Sequence, residues 1–408
     1  MAFRPLFVLL LALVGCAKAT TQAVPSPVDP PRLVVISIDG FRWDYLDRFP
    51  TPRLRALAAG GTRAERLIPV FPTKTFPNHY TIATGLYPEH HGVVANRMWD
   101  STIGRMFANS DTTAVSDSRW WGGEPIWVTA IKQGQRAATM FWPGSEARIG
   151  GVYPTHWHRF DPRRPNVDRF NQLLSWLDQP ADSAPRLLMM YLNEVDYLAH
   201  REGLDSPALT AAVARIDSLV GRFIDSLADR RLMDRVNLIV LSDHGVTPTP
   251  PEKMIYLDDY LDLTTVDIYD LNPVAAIDPK PGRLDSAYRA LKDAHPNLAV
   301  YRKGEVPARF HFNDHRRITQ IVAVADEGWT ITTRDRPPYT DLANHGYDPA
   351  LESMGALFIG SGRSFRAGLV VPAFPSVHLY ELMARLLLLR PAANDGSREA
   401  TEALLRRP

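Results

Sequence analysis

Three aspartates stand at or just beyond the ends of short apolar segments. The pairs of segment and acid are Leu33–Ile38 with Asp39, Leu187–Tyr191 with Asp196, and Val236–Leu241 with Asp243. Each segment has the length and composition of a buried strand, and ligands of parallel α/β sheets bind beyond the carboxyl ends of the strands. The three carboxylates are therefore expected to converge at one edge of a sheet.

Histidines accompany two of these aspartates. His200 follows Asp196 by four positions, so one helical turn would place both side chains on the same face. His244 directly follows Asp243, and His345 is a third candidate in a separate polar segment. Three Asp and three His form a ligand set that suits Zn²⁺ best, with Mn²⁺ as an alternative. The set favours a two-metal site, which would act in displacement at phosphorus or in hydrolysis of an amide.

Thr75 is the candidate nucleophile. It stands at the start of a predicted helix whose first turn is set by Pro77 and which stops at Gly85. A hydroxyl at a helix N-terminus beside a metal ion is stabilised as an alkoxide by the helix dipole and by the ion. The alternative is that Thr75 only caps the helix, and the local sequence does not separate the two interpretations.

The elements that must position these residues alternate between strand and helix. Helices are predicted over Thr51–Ala59, Pro207–Leu227 and Val377–Leu389, and further strands over Val322–Ala325, Thr330–Thr332 and Ala356–Gly360. This alternation predicts an α/β fold with a mostly parallel sheet flanked by helices on both faces. Since no repeat or second linker divides the chain, residues 32–408 are interpreted as one catalytic domain with inserted segments such as Arg97–Pro185.

The first residues are typical of an export signal. Arg4 precedes the apolar stretch Leu6–Val14, which is too short to span a bilayer. The stretch closes as Leu13-Val14-Gly15-Cys16, which resembles a bacterial lipobox, so residues 1–16 are interpreted as a lipoprotein-type signal peptide and residues 17–31 as a Pro-rich linker. The expected location is periplasmic, with a lipid anchor on Cys16 as the only membrane contact. Ala17 favours the outer membrane, and cleavage after Ala19 is the alternative.

The composition excludes several classes of protein. Lys and Arg number 46 against 45 Asp and Glu, which gives a net charge of +1. A broad electrostatic nucleic-acid binder needs a strongly basic surface, so no specific nucleic-acid partner is expected. The single cysteine excludes an intramolecular disulfide framework and a Cys-based zinc ribbon.

Several longer motifs occur together in this chain. The block from Phe71 to Asn96 is the most specific; the others are Ile38-Asp39-Gly40, Glu124-Pro125-Ile126-Trp127, Trp142-Pro143-Gly144-Ser145, Ser242-Asp243-His244-Gly245, Ala325-Asp326-Glu327-Gly328-Trp329 and His345-Gly346-Tyr347-Asp348. These motifs resemble the nucleotide pyrophosphatase/phosphodiesterase family of the alkaline phosphatase superfamily. The likeness extends from about Leu33 to Gly396 and is closest to compact bacterial members that carry only the catalytic domain.

The resemblance implies an alkaline-phosphatase-like fold and a role for each candidate residue. Thr75 would be the nucleophile, and Asn96 would hydrogen-bond a phosphoryl oxygen as charge develops. Two Zn²⁺ per chain are implied, one held by Asp39, Thr75, Asp243 and His244, and the other by Asp196, His200 and His345. Phe76 and Tyr191 would sandwich a nucleoside base. The chain departs from the family pattern at Val195 and Ala199, where Pro and Gly are usual.

The expected activity is a two-zinc hydrolysis of nucleotide 5′-phosphodiester or phosphoanhydride bonds, through a covalent Thr75 intermediate, with release of nucleoside 5′-monophosphate. The first alternative is a lysophospholipid or glycerophosphodiester phosphodiesterase that uses the same site. A phosphomonoesterase is the second, and a metal- or nucleotide-binding surface lipoprotein without turnover is the third.

Overall fold

A sheet of eight strands forms the middle layer of the fold. The computed structural model describes Met1 and residues 32–406, so the predictions for residues 2–31 lie outside the described residues. Among the described residues the strands are β1 (Arg32–Ile38), β2 (Thr62–Ala64), β3 (Leu67–Ile68), β4 (Arg97–Asp100), β5 (Arg105–Ala108), β6 (Ala137–Met140), β7 (His156–His158), β8 (Leu187–Leu192), β9 (Val236–Leu241), β10 (Thr247–Pro248), β11 (Met254–Tyr256), β12 (Val266–Asp270), β13 (Val274–Pro279), β14 (Leu298–Arg302), β15 (Ile321–Ala325), β16 (Thr330–Thr332), β17 (Ala343–Asn344), β18 (Phe358–Ser361), β19 (Leu369–Val371) and β20 (Phe374–Pro375).

The helices confirm the predicted α/β alternation. They are α1 (Tyr45–Arg48), α2 (Pro52–Gly60), α3 (Thr75–Thr84), α4 (Pro88–His91), α5 (Thr112–Val115), α6 (Ile126–Lys132), α7 (Asn166–Leu177), α8 (Glu194–Glu202), α9 (Pro207–Asp229), α10 (Leu284–Leu291) and α11 (Leu379–Leu386). The helices predicted over Thr51–Ala59 and Pro207–Leu227 are present within two residues of their expected bounds. The closing helix is shorter than Val377–Leu389, because a 3₁₀ turn over Ser376–His378 precedes it. None of the described helices combines the length and the apolar character that crossing a membrane requires.

The strand order of the central sheet is β19-β2-β18-β9-β1-β8-β6-β7. Strand β18 runs antiparallel to both of its neighbours, β2 and β9. The other neighbouring pairs of this sheet are parallel. The predicted mostly parallel sheet is therefore confirmed, with one reversed strand inside it.

The side chains of β1 show why helices cover both faces of the sheet. Leu33 and Val35 belong to an apolar cluster with residues of α3, α6 and α11. Val34 and Ile36 point to the opposite face, into a cluster with residues of α2, α7 and α9. Successive side chains of a strand alternate between its faces, and a strand that is apolar throughout must be covered on both.

The interpretation of Arg97–Pro185 as an insertion is wrong for much of that segment. Strands β6 and β7 extend the central sheet beyond β8, and β6 pairs in parallel with β8 from Ala137 opposite Leu187 to Met140 opposite Met190. Helices α6 and α7 contribute apolar residues to the two faces of the sheet. Only the hairpin of β4 and β5, among the strands of this segment, pairs outside the central sheet.

A second, four-stranded sheet has the order β12-β13-β15-β14. Its apolar cluster is distinct from the two clusters of the central sheet and includes residues of α10. The strands predicted over Val322–Ala325 and Thr330–Thr332 are present, but the first belongs to this second sheet and the second pairs with β11. Strand β12 ends at Asp270, which lines a cavity that also contains Asp39 and Asp196.

Candidate active site

The sheet brings the three predicted carboxylates to one edge. Strand β1 lies between β8 and β9, with Ile38 opposite Leu192 and Ser37 opposite Leu241. The three strands therefore end side by side, and the Asp39 N–H donates to the carbonyl of Leu192 over 2.9 Å. Asp39 directly follows β1, Asp243 follows β9, and Asp196 lies on α8, which begins just after β8.

Asp39, Asp243 and His244 form a first triad whose ligand atoms lie within 4.8 Å of one another. His244 Nε2 is 3.0 Å from Asp243 Oδ2 and 3.4 Å from Asp39 Oδ1. All three side chains are buried. Thr75 joins this group, since its Oγ1 lies 3.4 Å from His244 Nε2.

Asp196, His200 and His345 form a second triad within the same 4.8 Å limit. As their spacing predicts, Asp196 and His200 share one face of α8, and their Oδ2 and Nε2 atoms are 3.4 Å apart. His345 follows the two-residue strand β17, and its Nε2 is 3.8 Å from Asp196 Oδ1. The rings of His345 and His244 stack with centroids 3.6 Å apart, so the two triads are in direct contact.

The donor atoms of both triads fit metal ions. Asp39 Oδ1, Asp196 Oδ1 and Asp243 Oδ2 are buried without a hydrogen-bond partner among the described residues. His244 Nδ1 lies 3.0 Å from the carbonyl of Gly245, and His345 Nδ1 lies 2.7 Å from the carbonyl of Thr73. A carbonyl only accepts, so each Nδ1 carries a proton and, in the neutral ring, Nε2 presents a lone pair toward a carboxylate. A metal cation between such facing acceptors would satisfy both, and Nδ1–H on a carbonyl is the usual support of a metal-binding histidine.

The crowded carboxylates shift the pKa values of the triad residues. Burial and the charges of Asp243 and Asp196 raise the pKa of Asp39 well above its ordinary value. Burial and the neighbouring His244 lower the pKa of His345 to about 3, so its ring is neutral at physiological pH and its lone pair is free to bind metal. Burial alone would lower the pKa of His200, but the charge of Asp196 raises it to about 9. Three acids packed this closely repel one another, and divalent cations would relieve that repulsion.

Helix α3 places Thr75 at its N-terminus, where the sequence predicted it. Thr75 is the first residue of the helix, and Gly85 closes it in a left-handed conformation. The residue at the capping position is Lys74, and no side chain caps this end. The capping interpretation of Thr75 is therefore wrong, and its hydroxyl lies at the first triad.

The triads open into a cavity of about 670 Å³ whose lining includes Thr75, Phe76, Asn96 and Tyr191. The Phe76 N–H donates to Asn96 Oδ1 over 3.0 Å. This bond fixes which end of the Asn96 amide faces the start of α3 and leaves its NH₂ group as a donor. The structure thus brings all ten predicted site residues to the triads or to the wall of this cavity.

Comparison with known proteins decides the family. The family model described as type I phosphodiesterase/nucleotide pyrophosphatase matches residues 33–348. The chain belongs to this family. It is a hydrolase of the nucleotide pyrophosphatase/phosphodiesterase class, and its relatives include ectonucleotide pyrophosphatase/phosphodiesterase family member 5 of Homo sapiens, 37% identical over 390 residues that cover 95% of this chain and 81% of the relative.

Other relatives of this phosphodiesterase are named for more specific activities. A bis(5′-adenosyl)-triphosphatase of Xenopus laevis is 36% identical over 400 residues, covering 98% of this chain and 87% of the relative. A venom phosphodiesterase of Crotalus durissus collilineatus is 35% identical over 404 residues, covering 96% of this chain, which spans 48% of the venom protein's length.

Solved structures of family member 5 share the fold of this phosphodiesterase. The murine protein superposes with a TM-score of 0.88 at 38% identity, covering 92% of this chain and all of the murine chain. An inactive threonine-to-alanine variant of the murine protein, in complex with AMP, gives the same values. The human protein superposes with a TM-score of 0.89.

Three side chains of the phosphodiesterase site make polar contacts that were not predicted. His79, one turn after Thr75, lies with Nδ1 2.9 Å from the Thr75 carbonyl and 3.2 Å from Asp243 Oδ2. The Tyr191 hydroxyl donates to Asp39. Lys74 Nζ lies 2.5 Å from Asp270 Oδ2, which ties the start of α3 to the second sheet. The i, i+4 spacing of Thr75 and His79 was a signal for the contact between these two residues, whereas the contacts with Asp243, Asp39 and Asp270 depend on tertiary packing.

Val195 and Ala199, the two departures from the family pattern, pack in the apolar core. Val195 and Ala199 are fully buried in the apolar cluster that α8 shares with α9. They lie one helical turn apart and so share a face of α8, while Asp196 and His200 occupy the adjacent face. The substitutions therefore leave the spacing of the two ligands intact.

Proposed function

We propose that this chain hydrolyses nucleotide 5′-phosphodiester or phosphoanhydride bonds and releases nucleoside 5′-monophosphate through a covalent intermediate on Thr75. The observation that carries the proposal is the position of the Thr75 hydroxyl, 3.4 Å from His244 Nε2 and at the N-terminus of α3. The murine relative supports it, because a threonine-to-alanine change yields an inactive protein that is described with AMP. The name of the Xenopus laevis relative supports phosphoanhydride substrates.

The proposed cofactors are two Zn²⁺ per chain. One would be held by Asp39, Thr75, Asp243 and His244, and the other by Asp196, His200 and His345. Mixed carboxylate and imidazole donors suit Zn²⁺ in catalytic sites. When bound, the two cations would neutralise the phosphoryl oxygens and favour loss of the Thr75 proton.

In the first proposed step Thr75 Oγ1 attacks the phosphorus of the nucleotide. A bond forms between Oγ1 and phosphorus, the bond from phosphorus to the leaving oxygen breaks with its electron pair, and the proton that Thr75 loses passes to solvent. The N-terminus of α3 stabilises the negative charge that develops on Oγ1. Asn96, oriented through the Phe76 N–H, would donate its NH₂ group to a phosphoryl oxygen as negative charge accumulates there.

In the second step water attacks the phosphorus of the nucleotidyl-threonine. The bond from phosphorus to the water oxygen forms as the bond to Oγ1 breaks, Thr75 regains a proton, and nucleoside 5′-monophosphate leaves. Phe76 and Tyr191 line the cavity in which the nucleoside would lie. We propose that their rings hold the base while the bonds to phosphorus form and break.

The nucleophile is tested with Thr75→Ala and its matched variant Thr75→Ser. Hydrolysis of the nitrophenyl ester of thymidine 5′-monophosphate should fall by about 10³-fold or more in Thr75→Ala, whereas Thr75→Ser should retain measurable turnover because it keeps the hydroxyl. Acid-quenched samples analysed by mass spectrometry should show a nucleotidyl adduct in the wild type and none in Thr75→Ala. Undiminished turnover by Thr75→Ala would refute the mechanism.

The cofactors are tested by chelation. Activity should disappear after dialysis against a zinc chelator and return as two equivalents of Zn²⁺ per chain are added back. Metal analysis of His345→Ala should give about one zinc per chain, since only the first triad stays complete. Full activity in metal-free protein would contradict the assignment.

A substrate panel separates the nucleotide activity from the lipid alternative. ATP, a dinucleoside polyphosphate and lysophosphatidylcholine are offered in competition to the zinc-loaded protein. The proposal expects nucleotides to be consumed first, with nucleoside 5′-monophosphate as a product. Preferential release of phosphocholine would assign the lysophospholipid activity instead.

We also propose that the chain is exported by a bacterium to the periplasm and anchored by lipid on Cys16. The support is the sequence of residues 1–16 alone. In cell fractionation the wild type should sediment with the outer membrane and Cys16→Ala should not. Recovery of the wild type in the soluble periplasmic fraction, with a new N-terminus after Ala19, would overturn the anchor.

A further inference from the structure

A groove of about 790 Å³ beside the catalytic cavity carries an excess of positive charge. It is formed by the segment before α7, the start of α8 and one face of α9. Its charged lining residues are Arg163, Arg164, Arg169, Arg215, Arg222 and Glu194. This feature is called the arginine groove below.

The arginine groove is continuous with the active site. Pro162 lines both the groove and the catalytic cavity. A shallower depression contains Asp39, Asp196 and His200 of the triads, and it shares Pro162, Asn193 and Tyr197 with the groove. A molecule bound at the triads can therefore extend along α8 into the groove without leaving the surface.

Much of the positive charge in the arginine groove is not matched by carboxylates. Arg163 pairs with Asp161, and Arg215 pairs with Glu194. Within the described residues, no carboxylate lies at ion-pair distance from Arg164, Arg169 or Arg222. Arg169 is buried beneath the groove, where it donates to the Tyr191 carbonyl and to Asn193 Oδ1. Fixed positive charge over a partly desolvated surface attracts polyanions.

The proposed chemistry directs the leaving group toward this side of the site. Thr75 belongs to the first triad, and displacement at phosphorus places the leaving oxygen opposite the attacking one. The leaving oxygen then faces the second triad, whose Asp196 and His200 lie on α8. The same helix begins at Glu194, in the wall of the arginine groove.

A second depression near the triads does not carry the same charge. It is lined by Arg97 and Arg336 but also by Asp270 and Asp341. Two carboxylates thus lie beside its two arginines, whereas the arginine groove has five arginines and a single carboxylate, Glu194. The arginine groove is the better electrostatic match for a chain of phosphates.

We propose that the arginine groove binds the distal phosphates of the leaving group, so that the enzyme favours nucleotides with a polyphosphate chain. This inference rests on the proposed function, because it assumes cleavage at the phosphate attached to the nucleoside. Arg164 and Arg222 are the residues expected to contact the phosphates. Arginine suits this task, since its planar group makes paired hydrogen bonds to phosphate oxygens.

The test compares two substrates that differ only in the leaving group. Adenosine 5′-tetraphosphate releases triphosphate, whereas the nitrophenyl ester of AMP releases nitrophenolate. For the polyphosphate, kcat/KM should fall about 4-fold in Arg164→Gln or Arg222→Gln and about 10-fold or more in the double variant. For the nitrophenyl ester, kcat/KM should stay within about 2-fold of the wild type in the same variants.

The matched control is Arg366→Gln. Arg366 is exposed and precedes β19, at the edge of the central sheet opposite β7. The Arg366→Gln variant should leave kcat/KM unchanged for both substrates. Arg222→Glu should lower kcat/KM for the polyphosphate further than Arg222→Gln does, and added salt should reduce the wild-type preference for the polyphosphate.

Two outcomes separate the inference from the proposed function. Equal losses for both substrates in the double variant, or no loss for either, would overturn the role of the arginine groove while leaving the hydrolase intact. If wild-type protein cleaves neither substrate to AMP, the proposed function itself fails. A loss confined to the polyphosphate supports both.

Discussion

The hydroxyl of Tyr191 donates a hydrogen bond of 2.5 Å to Oδ2 of Asp39. Tyr191 was expected only to stack on a base, yet this bond also makes it a support of the first triad. The bond occupies Oδ2 and leaves Oδ1, which has no hydrogen-bond partner among the described residues, for a cation. One side chain therefore links the wall of the nucleoside cavity to a proposed zinc ligand.

Tyr191→Phe separates these two roles, because it removes the hydroxyl and keeps the ring. Zinc affinity of the first triad should fall about 10-fold, which is typical when a support of a metal ligand is lost. The KM for nucleotide should change little. Competition with a coloured chelator measures the affinity. If zinc affinity is unchanged while KM rises, the hydroxyl has no part in metal binding.

Position 40 requires glycine, because Asp196 lies too close to leave room for a side chain. Its φ is +64°, and a Cβ built on it would lie 2.8 Å from Asp196 Oδ1. Gly40→Ala should therefore lower both the free energy of unfolding and the zinc affinity of the second triad. Gly104→Ala is the control, since Gly104 has a similar φ of +74° and no atom within 4 Å of its Cβ position.

The Gly104→Ala variant isolates the cost of backbone strain, which is about 1 kcal/mol. The free energy of unfolding lost in Gly40→Ala should exceed that value by at least about 1 kcal/mol, because the new Cβ also clashes with Asp196. Urea denaturation of both variants gives the comparison. Equal losses would show that Asp196 moves aside freely.

Asn96→Ala should lower kcat about 100-fold with little change in folding stability, because it removes a donor to the phosphoryl oxygen. Asn109→Ala is the matched control. Asn109 lines the same cavity, but its side chain makes no hydrogen bond to α3 among the described contacts. Steady-state kinetics and thermal unfolding distinguish the outcomes. A matching loss of kcat in Asn109→Ala would assign the effect to cavity shape.

The buried ion pair of Asp100 and Arg317 predicts a pH dependence of stability. Asp100 Oδ2 lies 2.6 Å from Arg317 Nε and 2.7 Å from Arg316 Nη2. Burial would raise the pKa of Asp100, but hydrogen bonds from these two arginines lower it below its ordinary value. Since the pKa is lower in the folded state, this stabilisation is complete above about pH 5 and is lost as the pH falls below about 4.

Asp100→Asn should therefore cost about 3 kcal/mol of unfolding free energy at pH 7, because it leaves Arg317 buried without its partner. The difference from the wild type should shrink as the pH is lowered through 4. Asp285→Asn breaks the exposed pair with Arg302 and should have little effect at either pH. A pH-independent difference for Asp100→Asn would mean that packing, not charge, is responsible.

Features encoded in short, uniform stretches of sequence were predictable. After Arg32, only Ser37 and Asn237 interrupt the apolar strands before Asp39 and Asp243. The pair of Asp196 and His200 follows from helical spacing alone. By contrast, β6 has four residues, Ala137–Met140, and β17 has two. These segments contain few β-branched residues, unlike the equally short predicted strands Val322–Ala325 and Thr330–Thr332, so their place in the fold is set by pairing with distant strands.

Besides these short strands, contacts between elements that are distant in the sequence could not be predicted. The bond from Tyr191 to Asp39 exists because β1 and β8 pair in one particular register. The stacking of His244 on His345 depends on β17 pairing with β10. The resemblance to the family nevertheless assigned both histidines to the site, since family motifs carry tertiary information that local patterns lack.

The ligands of the two triads are spread along the chain from Asp39, directly after β1, to His345, directly after β17. Each triad joins residues from the N-terminal and the C-terminal half of the sequence, because Asp39 must meet Asp243 and Asp196 must meet His345. A proteolytic fragment that lacks either end cannot hold both metal ions. Turnover therefore reports that β1 has paired with β8 and β9 and that β17 has paired with β10. The regain of activity during refolding should follow the last of these pairings to form.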